Sequence, residues 1–192
     1  MVASDLLVPA RVLWVLFPAY LANAAATFPK GRGPPLDFGR SWPSDRRRLL
    51  GSSKTVSGFL AGSFAFLWVG LIQQYLTSIA PPSLAIMPAF GPSLPGALPV
   101  LLLLSVGALT GDALGSFLKR RRGVPPGGRS LVLDPLFFVL VPVGLGIVLF
   151  PGLFVPTFLS VEAILATLVF TVGLHGAFNW VGHRVGLKKV PW

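Results

Sequence analysis

Five runs of apolar residues alternate along the chain with polar segments in which the basic residues collect. The runs fall at about 8–28, 56–79, 97–117, 131–150 and 157–181, and a helix needs about 20 predominantly apolar residues to cross the hydrocarbon core of a bilayer. The pattern predicts an all-α, polytopic protein, a single membrane domain over residues 1–192 with five transmembrane helices. Polar positions inside the runs recur at helical spacing. Ser105, Asp112, Ser116 and Lys119 are separated by seven, four and three residues, which puts them on one face. Gly107, Gly111 and Gly115 form a small-residue stripe beside them, and Gly58-x-x-x-Gly62 opens the second run, both suited to close helix packing. Thr167, Thr171, His175, Asn179 and His183 follow one another in steps of four, so the protein interior is their expected side. Residues 80–96 carry no charge and many prolines and predict a turn or short re-entrant piece, while Pro135 and Pro142 are expected to bend or weaken the fourth helix.

Composition agrees with a membrane protein: 53% of residues are hydrophobic and 11% charged, against roughly a quarter charged in a soluble domain. With no cysteine, disulfides, thiolate catalysis and Cys-ligated zinc are excluded. The formal charge of +10 does not indicate nucleic acid, because the basic residues gather at the ends of apolar runs, where lipid headgroups or phosphorylated substrates are the natural partners. Seven Lys and Arg lie in Lys30 to Lys54, five in Lys119 to Arg129 and three in Arg184 to Lys189, so 15 of the 16 fall on one side of a five-span arrangement. The positive-inside rule then predicts a multi-pass cell-membrane protein with an outside N-terminus, a cytoplasmic C-terminus and two basic cytoplasmic loops, 29–55 and 118–130. A cleaved signal peptide, suggested by Ala22-Asn23-Ala24, is disfavoured because the strong positive charge follows the apolar part and does not precede it.

Chemistry enters with Asp112 and Asp134, two of six carboxylates, each within or at the edge of an apolar run. Intramembrane acids are costly and mark function by default. Between them lie Lys119, Arg120, Arg121, Arg122 and Arg129, interleaved with Gly123, Gly127 and Gly128. Two acids for a hard cation, five cations for phosphates and glycines that admit close backbone approach predict a polyphosphate site on the cytoplasmic face. Gly51-Ser52-Ser53-Lys54-Thr55 has a P-loop's lysine without its earlier glycines or its strand, which rejects a P-loop nucleotide hydrolase and leaves Lys54 and Thr55 able to meet phosphate in another geometry. His175 and Asn179 suit an interhelical hydrogen-bond pair better than a metal site. A transporter or channel for an anionic solute would use similar charges, but five unequal spans lack the matched halves such proteins show.

Gly111-Asp112-x-x-Gly115-Ser116-Phe117-x-Lys119-Arg120-Arg121-x-Gly123, followed by Leu133-Asp134, resembles the CDP-archaeol synthases, membrane cytidylyltransferases similar to bacterial CDP-diacylglycerol synthases. The resemblance extends to Pro18-Ala19-Tyr20-x-Ala22-Asn23, Pro35-x-Asp37, Asp45-x-Arg47-Arg48-x-x-Gly51-x-x-Lys54-Thr55-x-x-Gly58, His175-x-x-x-Asn179 and Gly186-Leu187-Lys188-x-x-Pro191-Trp192. Arg46 stands where the family usually has glycine, and Phe137 where it has a second acid three residues after the first. The resemblance implies a reaction of CTP with unsaturated archaetidic acid, a glycerol phosphate carrying two ether-linked geranylgeranyl chains, to give the CDP-lipid and pyrophosphate. A lipid phosphate is already anionic, so this needs charge neutralisation and alignment more than a strong base. The roles implied are Asp112 and Asp134 holding Mg²⁺ and acting in catalysis with Lys54 and Lys119; Arg120 and Arg121 offsetting phosphate charge; Ser116 and the loop glycines giving hydrogen bonds, with Gly111, Gly115 and Gly123 among the substrate-binding residues; and Asn23, Asp37, Arg47, Arg48, Gly51 and Thr55 bordering the substrates. The expected partners are CTP, a phosphorylated ether lipid and the bilayer.

Overall fold

A computed structural model describes residues 7–81, 86–125, 128 and 133–187, with the side chains of 133–135 excepted. Among the described residues six helices follow in order: α1 Leu7–Ala25, α2 Val56–Ile79, α3 Leu94–Arg121, α4 Leu133–Leu149, α5 Pro151–Phe158 and α6 Val161–Arg184. No strand occurs among the described residues, only the isolated bridges Pro35–Thr55 and Ser41–Arg48. By length and composition α1, α2, α3 and α6 can each cross a membrane, and α4 is a shorter apolar helix.

The helix starts follow local chemistry. Thr55, Ser93 and Ser160 are extended N-cap residues whose hydroxyls accept from the N–H groups of Gly58, Gly96 and Ala163. Two ends are equally explicit. Gly123 and Gly186 sit at φ +76° and +72°, and each closes a paired C-terminal turn. Val124 and Gly123 donate to the carbonyls of Lys119 and Arg120, and Leu187 and Gly186 to those of Gly182 and His183.

Two boundaries differ from the sequence expectation. The third helix does not stop near residue 117; it runs to Arg121, so Lys119, Arg120 and Arg121 are helical and not part of a loop. Hydropathy marks where a span ends and not where a helix ends, and basic residues favour the negative end of the helix dipole. A further short helix, α5, fills the gap between the fourth and fifth runs, bounded by Phe150 and Leu159, which leave helical geometry, and α6 begins at Val161, not near 157. Pro18, Pro99 and Pro142 are each accommodated within a helix, and Pro135 lies in the first turn of α4, where the missing N–H costs nothing.

Helix α1 is central, packing against α2, α3, α5 and α6. Its Val12, Val15, Leu16 and Tyr20 join Phe66, Leu101, Leu104, Phe138 and Phe154 in the core. The small-residue stripes work as close contacts: a Cβ on Gly58 or Gly62 would stand 2.7 or 2.9 Å from the carbonyl oxygens of Ala26 or Ala22 on the α1 side, and one on Gly111 only 2.0 Å from the Phe137 carbonyl of α4. Large apolar side chains on α2 and α6, among them Phe64, Trp68, Ile72, Leu168 and Val172, point outward, as a surface facing lipid requires. Between the second and third helices, buried Gln74 accepts from Phe90 N–H at 2.8 Å and donates to Gly91 O at 2.9 Å, pinning the connection.

Candidate active site

The interior face of α3 carries the polar residues. Lys54, two residues before α2, forms an ion pair with Asp112 in the middle of α3, both side chains largely withdrawn from solvent (26% and 16% exposed). At the next turns Ser116, Lys119 and Arg120 are buried, and Lys119 Nζ lies 3.4 Å from the Gly128 carbonyl oxygen. An acid and three cations along one helix face are stable only if further polar groups or a charged ligand complete their neutralisation. Asp134 lies in the first turn of α4, one turn before Phe137, whose backbone packs on Gly111 beside Asp112. Its side chain, like Arg129 and Gly127, lies outside the described residues.

The loop from 26 to 55 is a built structure. Leu36 N–H donates to Lys54 O and Val56 N–H to Pro34 O, closing its base and setting Lys54 at the mouth of α2. Lys54 N–H in turn donates to the carbonyl of the buried Gly51 at 3.0 Å. Asp37 is the staple inside it. Its Oδ1 accepts from Arg48 Nη2 at 2.6 Å and Gly39 N–H at 3.0 Å, and its Oδ2 from Leu50 N–H at 2.9 Å. Burial raises the pKa of this carboxyl; the Arg48 guanidinium and the Leu50 and Gly39 N–H groups outweigh burial and leave it below its ordinary 3.8. Thr55 is committed to capping α2.

A separate polar seam joins α1 to α6. Tyr20 OH and Thr171 Oγ1 are 2.9 Å apart, and Asn23 Nδ2 lies 3.4 Å from His175 Nδ1. Thr171 and Asn179 are buried and His175 half-buried, as their spacing predicts, but His183 at the end of the same row is exposed.

The expected site residues therefore divide. Lys54, Asp112, Ser116, Lys119 and Arg120 share the buried face of α3; Gly111 is a packing contact and Gly115 is buried; Asp37 and Arg48 pair with each other; Arg47, Arg121 and Gly123 meet at the end of α3; Asn23 faces α6. Sequence reading passed over Trp42 and Asp45 as partners of Arg121, and Gln74 as the tie of an uncharged loop. An uncharged polar residue inside an apolar run is the signal for Gln74; Asp45 is marked only as the first residue of a family motif, and Trp42 has no signal. An apolar recess of about 340 Å³ between Phe90, Val100, Phe150 and Leu153 lies at the opposite end of the bundle and contributes no charged group.

Among the described residues no three His, Asp or Glu side chains gather into a metal centre. Mg²⁺ is commonly held by one or two carboxylates, with substrate phosphates and water filling the remaining positions. Asp112 offers one carboxylate beside three cations, its Oδ2 engaged by Lys54 Nζ.

The CarS-like family model of CDP-archaeol synthase matches residues 4–192. The CDP-archaeol synthase of Methanospirillum hungatei JF-1 is 37% identical over 92% of this chain and 100% of its own, and that of Thermococcus gammatolerans 40% identical over 94% of each. The fold is similar to a solved structure of an intramembrane enzyme for archaeal membrane lipids biosynthesis, with a TM-score of 0.59 and 31% identity over 84% of this chain and 90% of that one. With the motif-bearing loop and α3 inside a match that runs almost end to end, the chain belongs to the CDP-archaeol synthase family.

Proposed function

We propose that this protein transfers the cytidylyl group of CTP to unsaturated archaetidic acid, 2,3-bis-O-geranylgeranylglycerol 1-phosphate, forming CDP-archaeol and pyrophosphate in ether phospholipid synthesis. Family membership supports the reaction, and the Lys54–Asp112 pair on the buried polar face of α3 is the observation that carries its chemistry. An oxygen of the lipid phosphate forms a bond to the α-phosphorus of CTP; the bond from that phosphorus to the oxygen bridging to the β-phosphorus breaks, and pyrophosphate leaves with the electron pair. Lys54, Lys119 and Arg120 offset the charge that the two anionic reactants bring together, and Ser116 lies between Asp112 and Lys119 to hydrogen-bond a phosphate oxygen. Asp112 and Asp134 would hold Mg²⁺, which when bound neutralises phosphate charge and steadies the leaving group. Neither fold nor relatives support the transporter reading.

In the bilayer, α4 supplies a fifth crossing: its 17 residues rise about 26 Å, slightly short of a typical core, so local thinning accommodates it. The N-terminus is outside, the whole chain forms one membrane domain, and the site faces the cytoplasm with the C-terminus. The prenyl chains enter from the lipid between helices.

The test is purified protein with radiolabelled CTP and a panel of phosphorylated lipids. Pyrophosphate release and a CDP-lipid should appear only when the phosphorylated ether lipid is present, should fail with ATP, GTP or UTP, and should stop on adding EDTA. Turnover that persists in EDTA would remove the metal from the scheme. Asp112→Asn should abolish transfer in a protein that remains folded, and full activity in that variant would displace the site from α3.

A further inference from the structure

Arg121 ends α3, and both terminal nitrogens of its guanidinium are hydrogen-bonded inside the protein. Nη1 donates to Asp45 Oδ1 at 2.7 Å, and Nη2 to the carbonyls of Arg48 at 2.7 Å and Arg47 at 3.1 Å. The group lies 5.2 Å from the ring centre of Phe117 and 5.7 Å from that of Trp42, rings that themselves meet edge to face at 5.5 Å. Its Nε is buried. The contact is returned: Arg47 Nη1 lies 3.5 Å from the carbonyls of Arg120 and Arg121, the last of α3. Gly123 makes room for this, since a Cβ there would stand 3.2 Å from Arg47 Nη1.

The receiving side is a small closed hairpin. Trp42 N–H donates to Arg47 O and Leu49 N–H to Arg40 O, Ser41 bridges Arg48, and Arg47 N–H donates to Asp45 Oδ1. From it the connections run on toward the reaction centre. Arg48 gives its carbonyl to Arg121 and its side chain to Asp37, Asp37 holds Leu50 N–H, and Lys54 N–H holds Gly51 O before the Lys54 ammonium returns to α3 at Asp112. The loop is thereby fastened to one helix at two residues, 112 and 121, about 13.5 Å apart along its axis. One attachment would let the loop swing; two define its rotation.

We infer that Arg121 and Arg47 are positioning residues, an arginine-exchange latch that holds the first basic loop on the end of α3 and so sets Lys54 against Asp112. Arg121 is assigned to positioning and not to the triphosphate, because both its terminal nitrogens are hydrogen-bonded inside the protein and its guanidinium lies against Phe117 and Trp42. The inference rests on the proposed transfer reaction for its kinetic consequence, though not for the latch itself. A guanidinium is required because only a planar fork can reach a carboxylate and two carbonyls while stacking on aromatic rings, which lysine cannot do.

The chain has no cysteine, so spin labels placed at Ser44→Cys in the loop and Val185→Cys at the end of α6, both exposed positions, report loop placement without turnover. The distance distribution should be narrow in this doubly labelled protein and broad in Arg121→Ala, Arg121→Lys and Asp45→Ala alike. In the same Arg121 and Asp45 variants kcat should fall by about tenfold to a hundredfold, the loss expected for a catalytic group misplaced by an ångström, with KM for CTP nearly unchanged. Asp45→Ala leaves Arg121 in place, so it keeps the test open should the arginine variants fail to fold. Two results would each overturn the latch: distributions that stay narrow when Arg121 is removed, or Arg121→Lys restoring both distribution and rate, since charge alone would then suffice. Failure of the parent protein to make any CDP-lipid would instead strike the proposed reaction and leave the distance result standing by itself.

Discussion

Asp37 is a fully desolvated carboxylate, with a side-chain exposure of 0%, retained because three donors compensate its lost hydration. Removing it by Asp37→Ala leaves Arg48 without its counter-charge and the Leu50 amide without its acceptor; because the Arg48 side chain is 33% exposed and can be rehydrated, the expected cost is about 1–3 kcal/mol. Hydrogen exchange across residues 36–50 should accelerate accordingly, with the helices unaffected. Because the folded-state pKa of Asp37 lies below 3.8, its contribution is fully present above that value and is lost as pH falls through the lowered one. Protection of the Leu50 amide should therefore persist in mildly acidic buffer and disappear only in strong acid; early loss would show that the carboxylate is not what holds the loop. Tyr20 plays a smaller part between α1 and α6. Tyr20→Phe removes one intramembrane hydrogen bond, and a loss of about 1 kcal/mol in detergent unfolding is expected.

At the scale of the element, α3 combines three tasks that its sequence interleaves. The glycine stripe brings α4 close, the polar stripe carries Lys54's partner and the buried cations, and the last turn receives the loop. Gly111→Ala would push a methyl to 2.0 Å from the Phe137 carbonyl oxygen, whereas Gly144 has nothing within 4 Å. Gly111→Ala should cost about 1–3 kcal/mol by overpacking and displace the acid-bearing start of α4, while Gly144→Ala should be neutral in the same thermal unfolding series. Equal effects of the two would mean that the stripe is not the contact between these helices. The division of labour on α3 was visible as spacing, since the residues sit at fixed intervals in one regular helix. Its extension through Arg121 was not visible, because hydropathy falls at the first lysine although the backbone stays helical.

For the whole molecule, the orientation proposed from charge makes the loop, the end of α3 and the start of α4 cytoplasmic together. Single cysteines at Ser44 and, on the opposite side, at Leu159 should react with a membrane-impermeant maleimide from opposite faces of sealed vesicles. Labelling of both from one face would remove the five-span arrangement. Placing the site at one end of the bundle also fits the reactants: a polyphosphate arrives from water, and a diprenyl phosphate keeps its headgroup near the interface while its chains remain in lipid.

Composition and periodicity alone determined that the chain is helical and membrane-embedded, which residues lie on one face of α3, and where α2 begins, because each is dictated by the spacing of residues within a helix or by its immediate neighbours. Tertiary structure decided what the cations are for. By type alone Lys54, Arg47, Arg48, Lys119, Arg120 and Arg121 were equivalent candidates for phosphate; the fold sends Lys54 to Asp112, pairs Arg48 with Asp37, and commits Arg47 and Arg121 to each other's backbone. Those partners stand from 11 to 74 residues apart in sequence. A guanidinium's choice between a carbonyl inside the protein and a phosphate outside it depends on distances that no local pattern encodes.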